Sequence, residues 1–246
     1  MQCVILAGGL GTRMRPETEQ VPKALLPVAG RPFVDHQLEL VECQGYTDVV
    51  VCTGHLGELL REHVGDGGQF GLSVAWSDDG PELRGTGGAL RLASTRSLLD
   101  ERFGVLYGDS YLPIDARPVH RAAERAGLPG LMTVYRNQGR WETSNVVYAD
   151  GIVERYAKGT RDPRMQHIDY GLSVLTRAAI DERIAEGTIV DLATTLEQLS
   201  DDHQLAGFEV HRRFYEIGSP SGLADLEALL AAGPPDLDLD PAKGVE

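Results

Sequence analysis

Residues 1–16 read MQCVILAGGLGTRMRP. The apolar run QCVILA at 2–7 stops at Gly8-Gly9, which predicts a buried strand of a parallel sheet followed at once by a glycine loop. Gly8, Gly9 and Gly11 carry no side chain, so the backbone N–H groups of this loop can come close to a phosphate chain. Thr12 adds a hydroxyl donor. Arg13 and, after the stretch PKALLPV at 22–28, Lys23 add two cations. Arg offers a planar fork to phosphate oxygens and Lys a compact charge. The loop falls at the carboxyl end of the first strand, where open α/β sheets place their ligands. Two familiar glycine motifs do not fit. A P-loop needs Lys directly after its last Gly, and here Thr12 and Arg13 follow Gly11. A dinucleotide fingerprint needs a third Gly that is missing.

Outward from this loop, strand and helix patterns alternate. A helix is predicted over 33–44, with Pro32 in its first turn and Gly45 as its stop. Strands are predicted at 48–53, 72–76 and 103–107, and helices at 57–64 and 86–99. This alternation is the mark of a doubly wound α/β sheet with right-handed crossovers. The second half changes character, with strands at 130–136, 144–149, 152–157 and 167–175 and a hairpin signal at Asp150-Gly151. Helices follow at 190–200 and 219–231, the second with Ser219 as N-cap and Pro220 at its first position. The acidic, proline-rich segment 233–246 reads as a disordered tail.

The chain has 246 residues, 42% of them apolar, and a formal net charge of −14. That charge argues against non-specific binding to nucleic acid or to an anionic membrane, either of which needs a basic face. It leaves room for an anionic small ligand, because a local group of cations can oppose the global field. No apolar stretch reaches the roughly 18–20 residues of a membrane span, and the N-terminus lacks the pattern of a secretion signal. A cytoplasmic protein is the expectation. Cys3, Cys43 and Cys52 show no metal-ligand spacing and read as buried free thiols in a reducing compartment. The seven histidines show no metal spacing either and read as structural or surface residues, with His167 set apart by its place just before Asp169-Tyr170-Gly171.

LAGGLGTRMRP at 6–16 with PKALLPV at 22–28 resembles the signature of sugar-1-phosphate nucleotidyltransferases, the nucleotide-diphospho-sugar pyrophosphorylases. Four later pieces are similar to that family's motifs in order: GTGGAL at 85–90, VLYGDSYL at 105–112, ERYAK at 154–158 and FYEIGSPSGL at 214–223. The resemblance covers residues 1–231. It implies a Rossmann-like, GT-A-like three-layer α/β/α fold over 1–232, with a mixed, mainly parallel sheet, a small β subregion and no C-terminal β-helix. It also implies transfer of a nucleotidyl group from an NTP to a sugar 1-phosphate, with release of pyrophosphate and with Mg²⁺ as cofactor. Because a phosphomonoester is largely dianionic at neutral pH, with a second pKa of about 6, the nucleophile needs no strong base. Cations and positioning are what the reaction requires.

The resemblance assigns Arg13, Lys23 and Asp109 to catalysis. It assigns Leu6, Ala7, Gly8, Gly9, Gly11, Thr12, Arg13, Gly85, Thr86, Gly87 and Gly88 to the nucleotide. Asp109 and Glu216 become metal ligands, Glu216 standing where family members more often carry Asp. Asn145, Lys158, Tyr170 and Gly171 fall on the sugar-phosphate side. Several plainer readings stay open: Asp109 as a turn residue, Glu216 as a surface residue on a strand, Asn145 as an ordinary edge residue. The segment DDGPELRGTGGAL at 78–90 reads as facing the nucleobase or as a plain helix-start loop, and within it Glu82 can accept from a guanine edge or face solvent. Trp141 can stack on sugar or cap the core, and Glu142 shares its loop. The short form, together with GTGGA and FYEIGSP, is similar to heptose-1-phosphate guanylyltransferases. Uridylyl or cytidylyl transfer to muramate, glucose or phosphocholine-type acceptors is the alternative, and a non-catalytic nucleotide-sugar-binding subunit is an alternative of another class. Assembly into a homo-oligomer is left open.

Overall fold

The computed structural model describes residues 1–137, 139–140, 143–160, 162–233 and 237. The loop residues Trp141 and Glu142, and nearly all of the acidic segment 233–246, lie outside the described residues. Strands run in chain order as β1 (Gln2–Leu6), β2 (Pro27–Val28), β3 (Arg31–Pro32), β4 (Asp48–Thr53), β5 (Ser73–Asp78), β6 (Arg102–Tyr107) and β7 (Ser110–Tyr111). They continue as β8 (Gly130–Tyr135), β9 (Val146–Ala149), β10 (Ile152–Tyr156), β11 (Ile168–Thr176), β12 (Leu205–Val210) and β13 (Tyr215–Glu216). The helices are α1 (Phe33–Cys43), α2 (Gly57–Val64), α3 (Gly85–Thr95), α4 (Ala116–Ala126), α5 (Arg177–Arg183), α6 (Leu192–Asp201) and α7 (Pro220–Ala231).

Nine strands form one sheet in the order β5-β4-β1-β6-β11-β8-β12-β10-β9. The pairs β5–β4, β4–β1, β1–β6 and β8–β12 are parallel, whereas β11 runs against both of its neighbours and β10 against both of its own. The sheet is therefore mixed and mainly parallel. Two short ladders, β2–β3 and β7–β13, lie outside it.

Alternation along each strand sends side chains to two cores. Cys3 and Ile5 of β1 join Val34, Leu38 and Val41 of α1, Leu60 and Val64 of α2, and Val119 of α4. Val4 and Leu6 join Ala89, Leu90 and Ala93 of α3, Ile180 of α5, and Leu196 and Leu199 of α6. Both faces of β1 are thus covered, which is why it reads as an unbroken apolar run. A third cluster ties α7 to β2, α1 and β7 through Leu226, Val28, Phe33, Tyr111 and Ile217.

Seven elements escape the sequence pattern: α4, α5, β12 and the short strands β2, β3, β7 and β13. The helix α4 has Asp115 as N-cap, accepting from the Arg117 N–H, and Gly127 in the left-handed conformation at its end. Both signals stand in the sequence. The strand β12 carries Gly207 because the Tyr148 ring occupies the space: a Cβ would lie 2.4 Å from it. The ladder β7–β13 joins residues about a hundred positions apart, beyond the reach of local pattern. One expectation is corrected. Cys3 and Cys52 are buried, but Cys43 is exposed, because it lies one helical turn past Glu39 on the polar face of α1.

His120 of α4 is buried, its Nε2 3.1 Å from the hydroxyl of Tyr46. That hydroxyl in turn packs on Gly104, where a Cβ would lie 2.4 Å away. Burial pushes the imidazole down from 6.5 to about 4, helped by the N-terminal ammonium and Arg102. Between these pH values the unfolded chain binds a proton that the folded chain does not, so this contribution is complete above about 6.5 and is lost as pH falls toward 4. Urea denaturation from pH 7 down to 4.5 should show a loss on the order of 2–3 kcal/mol from this group. The His120→Asn variant should show a flatter profile over the same range.

Candidate active site

The carboxyl ends of β5, β4, β1 and β6 open into one cleft of about 310 Å³. Its walls are Leu6, Ala7, Gly8, Gly9 and Gly11 from β1 and the glycine loop, Lys23 and Ala24, Cys52 of β4, and Asp79 and Leu83 after β5. Gly85, Thr86 and Ala89 of α3, Tyr107, Gly108 and Asp109 after β6, and Asp191 complete it. The backbone explains the opening. Ala7 N–H donates to Cys52 O at 2.8 Å and Gly108 N–H to Leu6 O at 2.9 Å. A Cβ at Gly108 would lie 2.9 Å from Ala7 Cα, so only glycine permits this approach.

At the β6 end, Lys23 Nζ donates to Asp109 Oδ2 at 2.8 Å, with both side chains largely buried. Lys23 begins a short turn held by Leu25 N–H to Pro22 O and Leu26 N–H to Lys23 O. The Ile217 N–H donates to Asp109 O at 2.9 Å, and Glu216 pairs with Ser110 across β13–β7. Asp109 and Glu216, 107 positions apart in sequence, are therefore set on one small ladder. A Cβ at Gly218 would sit 3.0 Å from Arg13 Nη2 and 3.4 Å from Glu216 Oε1. Both the glycine loop's arginine and this acid thus come close to Gly218. Behind them, Tyr107 has its pKa raised by burial and then by Asp169, Asp191 and Asp109, so three carboxylates bear on this end.

The donor set is made of carboxylate oxygens, which suit a hard cation. Among the described residues no group of three or more His, Cys, Asp or Glu side chains could hold a metal. Mg²⁺ binds through one or two carboxylates and fills its remaining positions with water and substrate phosphate, so it does not require a full protein cage. Asp109 and Glu216 are the residues that would hold it.

The remaining candidates divide. Gly85 and Thr86 line the cleft. Gly87 and Gly88 do not: their N–H groups donate to Val190 O at 2.9 and 3.1 Å, and a Cβ at Gly88 would lie 2.5 Å from Thr188 O. The Thr86 hydroxyl accepts from Leu192 N–H at 2.8 Å and donates to Asp191 Oδ1 at 3.2 Å. A chain segment at 188–192 thus caps the start of α3, and these two glycines make room for it. Thr12, Arg13 and Glu82 are exposed and stand outside the cleft wall, Arg13 reaching toward Gly218.

On the sugar side, Asn145 Oδ1 accepts the Asp169 N–H at 3.0 Å, and Lys158 N–H donates to Glu197. Burial raises the Asp169 pKa, opposed by the Gly171 N–H, Lys158 and the Tyr156 hydroxyl. Gly171 holds φ at +108°, which requires glycine. Tyr170 departs from its expected role. It follows the parity of Leu172 and Val174 into the core, 1% exposed, with its ring edge-on to Phe214 at 5.9 Å. Its side chain is therefore not presented to a ligand.

The cleft also contains Asp79 and Leu83, which lie in the segment 78–90 read from the sequence as facing the nucleobase, and Cys52, Tyr107 and Asp191, which sequence reading did not single out for the site. Asp79 follows the predicted strand 72–76, and Asp191 stands at the start of the predicted helix 190–200, where it is the N-cap of α6; these positions were the available signals. His167 pairs with Glu209 at 3.1 Å and packs edge-on to Tyr148, a structural setting outside the cleft wall.

A cleft across parallel strand ends, floored by a glycine loop and an acid–lysine pair, is the arrangement of an α/β nucleotide-handling protein. The chain belongs to the Nucleotidyl transferase family, whose profile matches residues 2–156. It is 26% identical to an N-acetylmuramate α-1-phosphate uridylyltransferase from Neisseria meningitidis, over 94% of this chain and 99% of that one. It is also 26% identical to a mannose-1-phosphate guanyltransferase from Gibberella zeae, over 89% of this chain and 61% of that one. The chain spans between 41% and 62% of the length of several such curated relatives. The solved structure of HddC from Yersinia pseudotuberculosis superposes with a TM-score of 0.76 at 21% identity, covering 93% of this chain and 98% of that one. That protein has also been solved with GMP-PN. No described helix is long and apolar enough to cross a membrane.

The packing of Gly88 on Thr188 makes a prediction. Gly88→Ala should lower stability by about 1–3 kcal/mol through overpacking against backbone. Thermal denaturation without ligand should show the loss; an unchanged midpoint would return Gly88 to a purely ligand-contacting role.

Proposed function

We propose that this protein joins a sugar 1-phosphate to a nucleoside triphosphate, giving a nucleotide-sugar and pyrophosphate. GTP with a heptose- or mannose-type 1-phosphate is the favoured pair. The observation that carries this reading is the Lys23–Asp109 pair on the floor of a glycine-lined cleft. The triphosphate lies along the glycine loop, its charge met by backbone N–H groups and by Arg13. Lys23 exchanges its carboxylate partner for phosphate oxygen, which holds the α-phosphorus in position. A sugar-phosphate oxygen attacks that phosphorus, the bond to the pyrophosphate oxygen breaks in line, and pyrophosphate leaves with the electron pair. Lys158 and Asn145, on the β10 side of the sheet, orient the sugar phosphate. Asp109 and Glu216 would hold Mg²⁺, which would neutralise phosphate charge. No residue is needed as a strong base, because the attacking oxygen is already anionic.

The guanylyl preference rests on the mannose-1-phosphate relatives and on HddC, whose structure has been solved with GMP-PN. A uridylyl reading draws on the Neisseria relative, which this chain matches over nearly its whole length. Pyrophosphate release across four NTPs and a panel of sugar 1-phosphates decides between them. One strong combination is expected, abolished by EDTA and restored by Mg²⁺. Arg13→Ala and Asp109→Ala should each lower kcat/KM by about 100-fold or more while leaving the circular dichroism spectrum unchanged. Near-wild-type rates in either variant would overturn the site assignment.

A further inference from the structure

Among the described residues, three carboxylates line the cleft: Asp79, Asp109 and Asp191. Asp109 faces Lys23 at 2.8 Å. Asp79 accepts the Arg84 N–H at 3.0 Å and lies in the field of the Arg84 and Arg96 charges. Asp191 has no such cation among the described residues. It is exposed, and its side-chain partner is the Thr86 hydroxyl, which donates to Oδ1 at 3.2 Å. A bare acid in a cleft for a triphosphate is unfavourable. A ligand that brings hydrogen-bond donors to the acid offsets that cost.

The place of Asp191 at a helix start does not account for its side chain. Asp is favoured as an N-cap because its carboxylate accepts an N–H of the first turn. Asp191 is the N-cap of α6, yet its side chain accepts none. The Leu192 N–H donates to the Thr86 hydroxyl at 2.8 Å, and the Thr194 N–H donates to the main-chain oxygen of Asp191 at 3.1 Å. A hydroxyl from α3 thus caps α6, and the Asp191 carboxylate is left at the cleft wall.

Asp191 also joins the two ends of the cleft. On one side it holds Thr86, within the segment 78–90 at the start of α3. On the other its charge bears on the Tyr107 phenol, which directly precedes Gly108-Asp109. Strand spacing of about 4.8 Å puts the β5 and β6 ends roughly 14 Å apart. With a nucleobase against 78–90 and a triphosphate along the glycine loop, the ribose is the unit between them. Its 2′ and 3′ hydroxyls are adjacent donors, and a carboxylate is a strong acceptor for them.

We propose that Asp191 binds the ribose hydroxyls of the nucleotide and makes the site selective for ribonucleotides over deoxyribonucleotides. The inference rests on the nucleotidyl-transfer reading above and adds a specificity to it. Discrimination follows because a deoxy analogue leaves the carboxylate without its donor beside the phosphates.

The test measures pyrophosphate release with GTP and UTP and with the 2′-deoxy and 3′-deoxy forms of each, over the sugar 1-phosphate panel. The proteins are wild type, Asp191→Ala and Asp191→Asn. Wild type should favour the ribonucleotide over at least one deoxy form by about 10- to 100-fold in kcat/KM. Asp191→Ala should fall by a similar factor with the ribonucleotide and little with that deoxy form, so that the preference collapses. Asp191→Asn keeps a good N-cap side chain and a neutral acceptor, and should retain only part of the preference. It carries the test if Asp191→Ala does not fold. An equal fall for ribo and deoxy substrates is what a merely structural residue would give, and it would overturn the proposal. So would a wild type indifferent to both hydroxyls, with nucleotidyl transfer left intact. If wild type turns over nothing, the proposed function fails, and calorimetry with GDP, UDP and their deoxy forms still decides on Asp191. A ribose preference lost in the variants supports it; a preference that is absent from wild type or unchanged in both variants overturns it.

Discussion

The close approach of backbone at the carboxyl ends of β1, β4 and β6 governs the rest of the molecule. Gly108 packs on Ala7, and Gly8 lies close to the backbone of Thr53 and Gly54. Side chains at these points would push the strand ends apart or fill the space between them. With glycine there, three parallel strands bring residues to one cleft: the glycine loop after β1, Cys52 of β4 and Asp109 after β6. The buried faces of these strands, Val4 and Leu6 on one side and Cys3 and Ile5 on the other, hold the ends in register.

A net charge of −14 and a cleft for polyanions are compatible because the cleft sets its acid against a cation. Lys23 lies on Asp109. A bare acid there would repel a triphosphate, and a bare cation would leave the carboxylates around Tyr107 unopposed. Paired, the two present little net charge until a ligand offers each a new partner. The acidic surface elsewhere does not reach the site in full, since charges more than about 10 Å away through water are strongly screened.

The start of α3 shows how tertiary packing reassigns a motif. A helix N-terminus preceded by glycines is a ready anion site. Here Val190 O takes the N–H groups of Gly87 and Gly88, and Thr86 is held between Leu192 and Asp191. Only Gly85, Thr86 and Ala89 of this helix still face the cleft. The motif thus serves two surfaces, the ligand on one side and the 188–192 segment on the other.

The residues alone determined the alternating first half, the buried β1, the glycine loop and its cations, and the acid after β6. Each of these is a local pattern, an apolar run or a run of small residues, whose meaning does not depend on distant chain. The caps of α4 were equally local and went unread. Only the tertiary structure decided the rest. Strand parity turned Tyr170 into the core beside Phe214. The β7–β13 ladder brought Glu216 to Asp109, and the sheet order placed Asp79 instead of Glu82 at the cleft wall. These outcomes depend on which strand lies beside which, and on which face a residue takes once its strand is paired. Neither is a property of a residue and its near neighbours, because a shift of one position exchanges the two faces of a strand.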